Sequence, residues 1–448
     1  MKKKIAALLL STAMLAGCAG TISEPAAEAA PQPEAGQTAG PAEAVKELTR
    51  LTDTASSSTG VYLAEADPHG FTHTLYYVDA QTATMQPLCP LENCSHDNSE
   101  CPAWIPDGQN VFLIADGETL YAAATEYSNR LRTEIQQSDT FALTIWAYTL
   151  DGKTRTQIFS QNIELPLESR GGETYPMPVS AMYYDGTYFY AWVEDAFEKT
   201  KTAGRTAKFV KIDPQTGTYE AMPSPVEAVQ KADPDFENGY SEGVIKGYLV
   251  LNGYHRETDN TMMYAVRMDG SSVYKIPEEA AYTQKAYAPQ KGIFYLIPPK
   301  DGAVQILCYT PGAQRAEVWA EVSGLTGADT ANIYEHCSLT ADCMGNPILT
   351  NHAAEPQQSY LCLPGGRVVP CTLQTTYSEK DQDLSYLVAA APAGEQILAF
   401  LRTETYSAFS MDWNGDISLG SIYTKQYALI SREDYENQTP NYRLVNRA

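Results

Sequence analysis

A closed ring of repeated four-stranded β units is what this 448-residue sequence predicts, and three observations predict it. Past residue 60 the chain is a succession of short runs rich in Val, Ile, Leu, Ala and Tyr, with almost no stretch that holds a helical period. These runs recur in units of roughly 45 to 60 residues, the signature of radial repetition. Asp-Gly pairs at 116, 151, 185, 269 and 301, with Asn-Gly at 414, fall between runs, where tight hairpins need positive backbone angles. Together they define an all-β fold class, a seven-bladed β-propeller, with six and eight blades as the neighbouring counts.

The elements follow in chain order. Residues 1–17 open on a cationic head, Lys2, Lys3 and Lys4, followed by an apolar run from Ile5 to Leu15 that is too short to span a bilayer and reads as a secretion signal. The segment ends in Leu15-Ala16-Gly17-Cys18, the form of a bacterial lipoprotein box, in which Cys18 would be acylated and become the first residue of the mature chain. This predicts lipid attachment at Cys18 and an extracytoplasmic protein anchored to the outer face of the cell membrane. Two or three acyl chains suffice, since each buried methylene contributes roughly 0.8 kcal/mol. Residues 18–52 are expected to be a tether, because Ala19–Ala44 is built of Ala, Pro, Glu, Gly and Thr and has too little apolar surface to offset its ordering entropy. Near its end Val45, Leu48 and Leu51 stand at helical spacing, so a short packing helix is expected there.

The propeller domain is expected over residues 53–448. Its first unit, residues 60–89, supplies only three strands. The second runs through Asn110–Glu126 and Leu143–Ser160, the third through Ser180–Glu194 and Lys208–Pro223, and the fourth through Gly243–His255 and Met262–Pro277. The fifth occupies Tyr287–Pro299 and Val304–Ala320, the sixth Ile333–His352 and Gln358–Leu373, and the seventh Ser385–Glu404 and Ala408–Thr424. Gln426–Asp434 is left over, and the first unit lacks an inner strand. The expectation is therefore that this C-terminal strand enters blade one and closes the ring, which removes the open sheet edges.

One constellation carries chemistry. Between the first two units lie Cys89, Cys94, His96 and Cys101, three thiols and an imidazole within thirteen residues. Cys3His is a closed, structural donor set for zinc, although the spacing Cys-x4-Cys-x-His-x4-Cys is not a frequent one. A disulfide between two of the thiols in an oxidising exterior, or three free thiols, are the alternatives. The other strand cysteines, Cys308, Cys337, Cys343, Cys362 and Cys371, read as buried free thiols.

With its lipoprotein box, its Ala/Pro tether, the Cys89–Cys101 segment and the ending Tyr427–Tyr435, the chain resembles a group of uncharacterised propeller lipoproteins of the Gram-positive anaerobe type. It is also similar to propellers of the low-density-lipoprotein-receptor type, the DUF5050-like domain. The resemblance implies the propeller and the anchor and brings no assigned activity.

The formal net charge of −24 excludes nucleic acid, and an anionic membrane, as partners of the folded part, since both need a concentrated cationic surface. Loss of the signal removes three Lys and no acid, so the mature chain is more acidic still. Enzyme motifs fail on context. Gly239-Tyr240-Ser241-Glu242-Gly243 matches a serine-hydrolase elbow but stands before a strand instead of a helix. Asp233-Pro234-Asp235-Phe236-Glu237 begins like a calcium loop whose glycine is displaced and whose twelfth position is Val244. Ser410–Gly415 approaches an Asp box with its glycine one place late. The basic run Lys199–Lys208 reads as a solvated loop. The expectation is a non-enzymatic, membrane-anchored module that binds a protein or carbohydrate ligand, with no catalytic residues assigned. Its rivals are a cell-surface polysaccharide hydrolase or lyase on the same scaffold and a structural part of a surface complex.

Overall fold

The computed structural model describes residues 47–66, 72–106, 108–127, 140–164, 179–194, 207–258, 260–300, 302–325, 333–376, 384–411 and 417–448. Cys18, the signal segment, the tether up to residue 46, the basic run up to residue 206 and residues 412–416 of the Asp-box-like turn lie outside them.

Among the described residues the strands form seven sheets, one for each blade, antiparallel except where β31 joins blade one. The chain first makes β1 (Thr49–Arg50) and β2 (Thr54–Ser56). Blade one is β2, β3 (Gly60–Ala66), β4 (His73–Asp79) and β5 (Thr84–Pro87), with β6 (Trp104–Ile105) on the same edge of β4 as β5. Blade two is β7 (Gly108–Asp116), β8 (Thr119–Tyr127), β9 (Thr140–Thr149) and β10 (Arg155–Glu164). Blade three places β1 against β11 (Val179–Tyr184), followed by β12 (Phe189–Glu194), β13 (Ala207–Asp213) and β14 (Thr218–Met222). Blade four is β15 (Phe236–Ile245), β16 (Tyr248–His255), β17 (Thr261–Val266) and β18 (Val273–Lys275). Blade five is β19 (Lys285–Ala288), β20 (Gly292–Lys300), β21 (Ala303–Tyr309) and β22 (Glu317–Ser323). Blade six is β23 (Cys337–Ala341), β24 (Pro347–Asn351), β25 (Gln358–Leu363) and β26 (Arg367–Pro370). Blade seven is β27 (Val388–Ala393), β28 (Gln396–Met411), β29 (Ile417–Ser431) and β30 (Arg443–Leu444).

The core is divided in the same way as the sheets. Seven apolar clusters form, and each lies between two neighbouring blades. On β16, Leu249 and Leu251 face blade three while Val250 faces blade five. On β8, Ala122 and Ala124 face blade one while Ala123 faces blade three. A strand buried on both faces has no polar side to show, which is why these runs are continuously apolar where a half-exposed strand would alternate. The tyrosine excess goes into the same layers, where Tyr62, Tyr148, Tyr183 and Tyr435 are wholly buried.

The C-terminal strand does join blade one, but not by the expected segment or at the expected edge. Gln426–Ser431 belongs to β29, an interior strand of blade seven paired with β28. The strand that joins is β31 (Asn446–Arg447), and it pairs in parallel with β5, the outer strand of blade one. The inner strand of blade one comes instead from the N-terminal side, as β2.

The helix expected near Leu48 and Leu51 is also replaced. Residues 48–56 run as an extended strap along the inner edges of three blades. Thr49 and Arg50 pair with Tyr184 and Tyr183 of blade three, Leu113 of blade two donates its N–H to Thr52 O at 2.6 Å, and β2 then pairs with β3. Leu48 is buried between blades three and four, Leu51 between two and three, and Ala55 between one and two. The three-residue spacing of the leucines matches the step from one blade interface to the next. Among the described residues Leu48 and Leu51 already take part in the ring's packing.

Candidate metal centre

The outer edge of blade one is interrupted. β5 pairs with Tyr76–Asp79 of β4, and β6 resumes the same edge at His73 and Thr74. The sixteen residues between β5 and β6 leave the sheet and return as a compact loop, residues 88–103. Its ends are fixed by the main chain, with Leu88 N–H donating to Leu75 O and Leu75 N–H to Ala103 O, both at 2.8 Å. The loop contains Cys89, Cys94, His96 and Cys101.

The structure brings these four together. Their ligand atoms all lie within 4.8 Å of one another, and His96 Nδ1 is 3.2 Å from Cys101 Sγ. Ligands bound to zinc at about 2.0–2.3 Å stand roughly 3.5 Å apart, so a small contraction seats an ion. Asn93 and His96 hold left-handed backbone angles, φ 59° and 60°, which side-chain-bearing residues rarely adopt and which turn the loop tightly enough to aim all four inward. Cys101 is fully buried, whereas Cys89, Cys94 and His96 are half-buried.

The electrostatics of the thiols divide accordingly. Cys94 is held below the ordinary thiol range, chiefly because the His96 main-chain N–H donates to its sulfur. Burial pushes Cys101 up to about 12, and the neighbouring Cys94 and Cys89 sulfurs add to the rise. A divalent cation bound there would favour the thiolate. No pair among the eight described cysteines is bridged. The five strand cysteines are different in kind: burial raises Cys308 and Cys337 to about 11 and Cys343, Cys362 and Cys371 to about 12, which keeps them protonated and unreactive.

Two residues from blade two complete the loop's seat; Gly152 was marked in the sequence only as a hairpin turn, and Arg155 carried no signal. Arg155 donates from Nη1 to Trp104 O at 2.8 Å and to Cys101 O at 3.3 Å, with its guanidinium 4.7 Å from the Trp146 ring. Gly152, at φ 69° in the β9–β10 hairpin, lies so close that a Cβ there would stand 2.8 Å from Leu88 O. The four-residue cluster could hold a metal ion, and with four protein ligands converging it leaves no open coordination place.

The motifs set aside in the sequence have structural roles. Asp233 caps the helix Pro225–Ala232 and accepts from Tyr264 OH, Glu237 pairs with Arg256 at 2.6 Å, and Asp235 lies 3.7 Å from His255, so these acids do not converge on a cation. Ser241 sits within β15 with its hydroxyl against Tyr183 OH, and the chain continues from it as strand and not as helix.

The fold defines the chain as a seven-bladed β-propeller, and among the described residues one candidate metal cluster lies on its outer rim. Solved structures similar to it include the β-propeller domain of the Trilobed protease from Pyrococcus furiosus, at 13% identity over 75% of this chain and 99% of that one, with a TM-score of 0.34. Others are TolB from Acinetobacter baumannii, at 10% identity over 73% and 79% with a TM-score of 0.29, and the periplasmic gluconolactonase of Pseudomonas aeruginosa, at 11% over 86% and 99% with a TM-score of 0.35. No protein-family model and no curated protein matches the sequence.

Proposed function

We propose that this protein is a membrane-tethered extracytoplasmic lipoprotein, acylated on Cys18, whose propeller is a binding module for a protein or carbohydrate ligand, and that Cys89, Cys94, His96 and Cys101 hold a structural zinc ion. The observation that carries the structural reading of the metal is the convergence of four protein ligands in the Cys/His loop. Such a donor set has no vacant corner for a reacting water, so the metal fixes an irregular loop and does no chemistry. The anchor is supported by Leu15-Ala16-Gly17-Cys18 and by a proline-rich, acidic stretch that suits a spacer. The folded ring would then stand clear of the lipid, in keeping with its negative charge.

The test is fractionation and metal content together. Wild type should sediment with membranes and Cys18→Ser should be released, and the purified protein should carry one zinc per chain. An equally membrane-bound Cys18→Ser variant overturns the anchor. A metal-free protein with Cys94 bridged to Cys89 or Cys101 by mass spectrometry overturns the zinc site.

A further inference from the structure

Where blade seven meets blade one, a cavity of about 230 Å³ opens between β29 and the C-terminal residues. Its floor is Met85, Tyr427 and Val445, three buried members of the apolar cluster that packs these two blades together. Its mouth is formed by the exposed residues Lys425, Asn446 and Arg447. Tyr427 faces blade one, and Lys425, two residues earlier on the same strand, faces the same way. Among the described residues the Lys425 ammonium has no carboxylate partner. Arg447 is held through one nitrogen. Its Nη2 donates to the Glu65 carboxylate oxygens at 2.7 and 3.0 Å and to Lys425 O at 3.3 Å, with the guanidinium 5.4 Å from the Tyr76 ring. Its Nε and Nη1 donate to nothing among the described residues.

The donors say what fits. An ammonium and a guanidinium give hydrogen bonds and cannot accept them, and the Asn446 amide can donate beside them. Among the described residues none of the cavity's walls is acidic, in a chain with 55 Asp and Glu against 31 Lys and Arg. Glu65 is already engaged by Arg447, and Asp53, the other acid whose charge reaches Tyr427, is not a wall residue. Two cations and one engaged acid leave a single positive charge for an occupant. A monoanion answers it, whereas the field of a chain of formal net charge −24 opposes a second negative charge. A carboxylate offers two acceptor oxygens, one for each cation, in the charge-assisted bonds that hold most strongly. The buried floor calls for an apolar body behind that charge. The volume lies below the ~300–1,000 Å³ of pockets that take drug-sized ligands, so the occupant is no larger than a ring bearing its acid. Because Lys425 stands on blade seven and Arg447 on the strand that joins blade one, such a ligand spans the seam that closes the ring.

We infer that this seam, at Lys425, Tyr427, Asn446 and Arg447, is a binding site for a small monocarboxylate with an apolar ring. The site stands whether or not the propeller also carries a protein or carbohydrate ligand. The test is isothermal titration of the full chain in detergent with benzoate and cyclohexanecarboxylate at neutral pH, each beside its neutral amide and a detergent-only blank. At least one acid should bind saturably, and its amide should bind about tenfold more weakly or not at all. Lys425→Ala should weaken the acid by about tenfold or more, as loss of one charge-assisted bond does. Its melting temperature should be unchanged, because the side chain is exposed and pairs with no acid, and Lys425→Arg should keep most of the affinity. No saturable heat with either acid overturns the inference, as does an amide that binds as tightly as its acid. Saturable binding that Lys425→Ala leaves unchanged puts the carboxylate elsewhere and overturns this site, while the proposal that the propeller is a binding module is left standing.

Discussion

Two straps hold this ring, one inside and one outside, and they do it by different physics. The inner strap, residues 48–56, places Leu48, Leu51 and Ala55 in three successive blade interfaces and adds main-chain bonds to each blade it crosses. The outer strap, residues 443–448, bridges blade seven to blade one and buries one apolar side chain, Val445. Its other contacts are polar. Arg443 donates to the carbonyls of Ala80 and Gln81, Asn446 N–H donates to Ala83 O, and Arg447 makes two bonds to the Glu65 carboxylate at 2.7 and 3.0 Å. The inner edges of the blades converge, so a short extended segment reaches three apolar layers. At the rim the blades have diverged, and only carbonyls, sheet edges and charges remain to be bridged.

The largest expected effect therefore lies inside. Leu51 is 3% exposed and packs against side chains of both blades two and three, so Leu51→Ala should cost about 3 kcal/mol, the ordinary price of a buried leucine. Urea unfolding of the two proteins measures it. A loss below about 1 kcal/mol would mean that the strap lies on the ring without holding it.

The Cys/His loop is a third fastening, and it belongs to the outer group. It interrupts the rim strand whose β5 segment β31 pairs alongside, and a bound ion would replace continuous pairing there with a point of coordination. Free zinc at a hundred times its dissociation constant should stabilise the chain by about 2.7 kcal/mol, read as a shift of the thermal transition between zinc and chelator. The pH dependence has a definite sign. Burial holds the Cys101 proton up to about 12, binding must displace it, and the apparent affinity should rise about tenfold per pH unit between 6 and 8 from that proton alone. Without metal the sign reverses. A thiol whose folded pKa lies above its ordinary value favours the fold below that ordinary value, and the contribution is lost as pH rises toward 12. Affinity independent of pH would show that the buried thiol is not a ligand.

The same contrast explains what could be read from the sequence. The blades were legible because hairpins announce themselves locally, by an apolar run, a turn that in several of them is Asp-Gly, and another run. The Cys/His loop was legible because its four candidate donors lie within thirteen residues. The inner strap was not, because β2 is three residues, Thr54–Ser56, too few to show a period, while Leu48 and Leu51 imitate a helix for a reason set by the distance between blades. Gln426–Ser431 looked like an inner strand because inner and middle strands of a propeller are apolar on both faces and differ only in what lies beside them.

The smallest effect should be at the rim. Arg447 is about a third exposed, its Glu65 partner less so, and the guanidinium also stands 5.4 Å from the Tyr76 ring. Arg447→Ala should cost about 1 kcal/mol, above the median for surface pairs because Glu65 loses its cation, and the loss should shrink as salt is raised toward 1 M, where charges are screened within about 3 Å. The leucine variant should show no such salt dependence, because burial of a hydrocarbon does not respond to screening. If instead Arg447→Ala cost as much as Leu51→Ala, and did so at every salt concentration, the outer strap would hold the ring as firmly as the inner one, and the division between an apolar inside and a polar rim would fall.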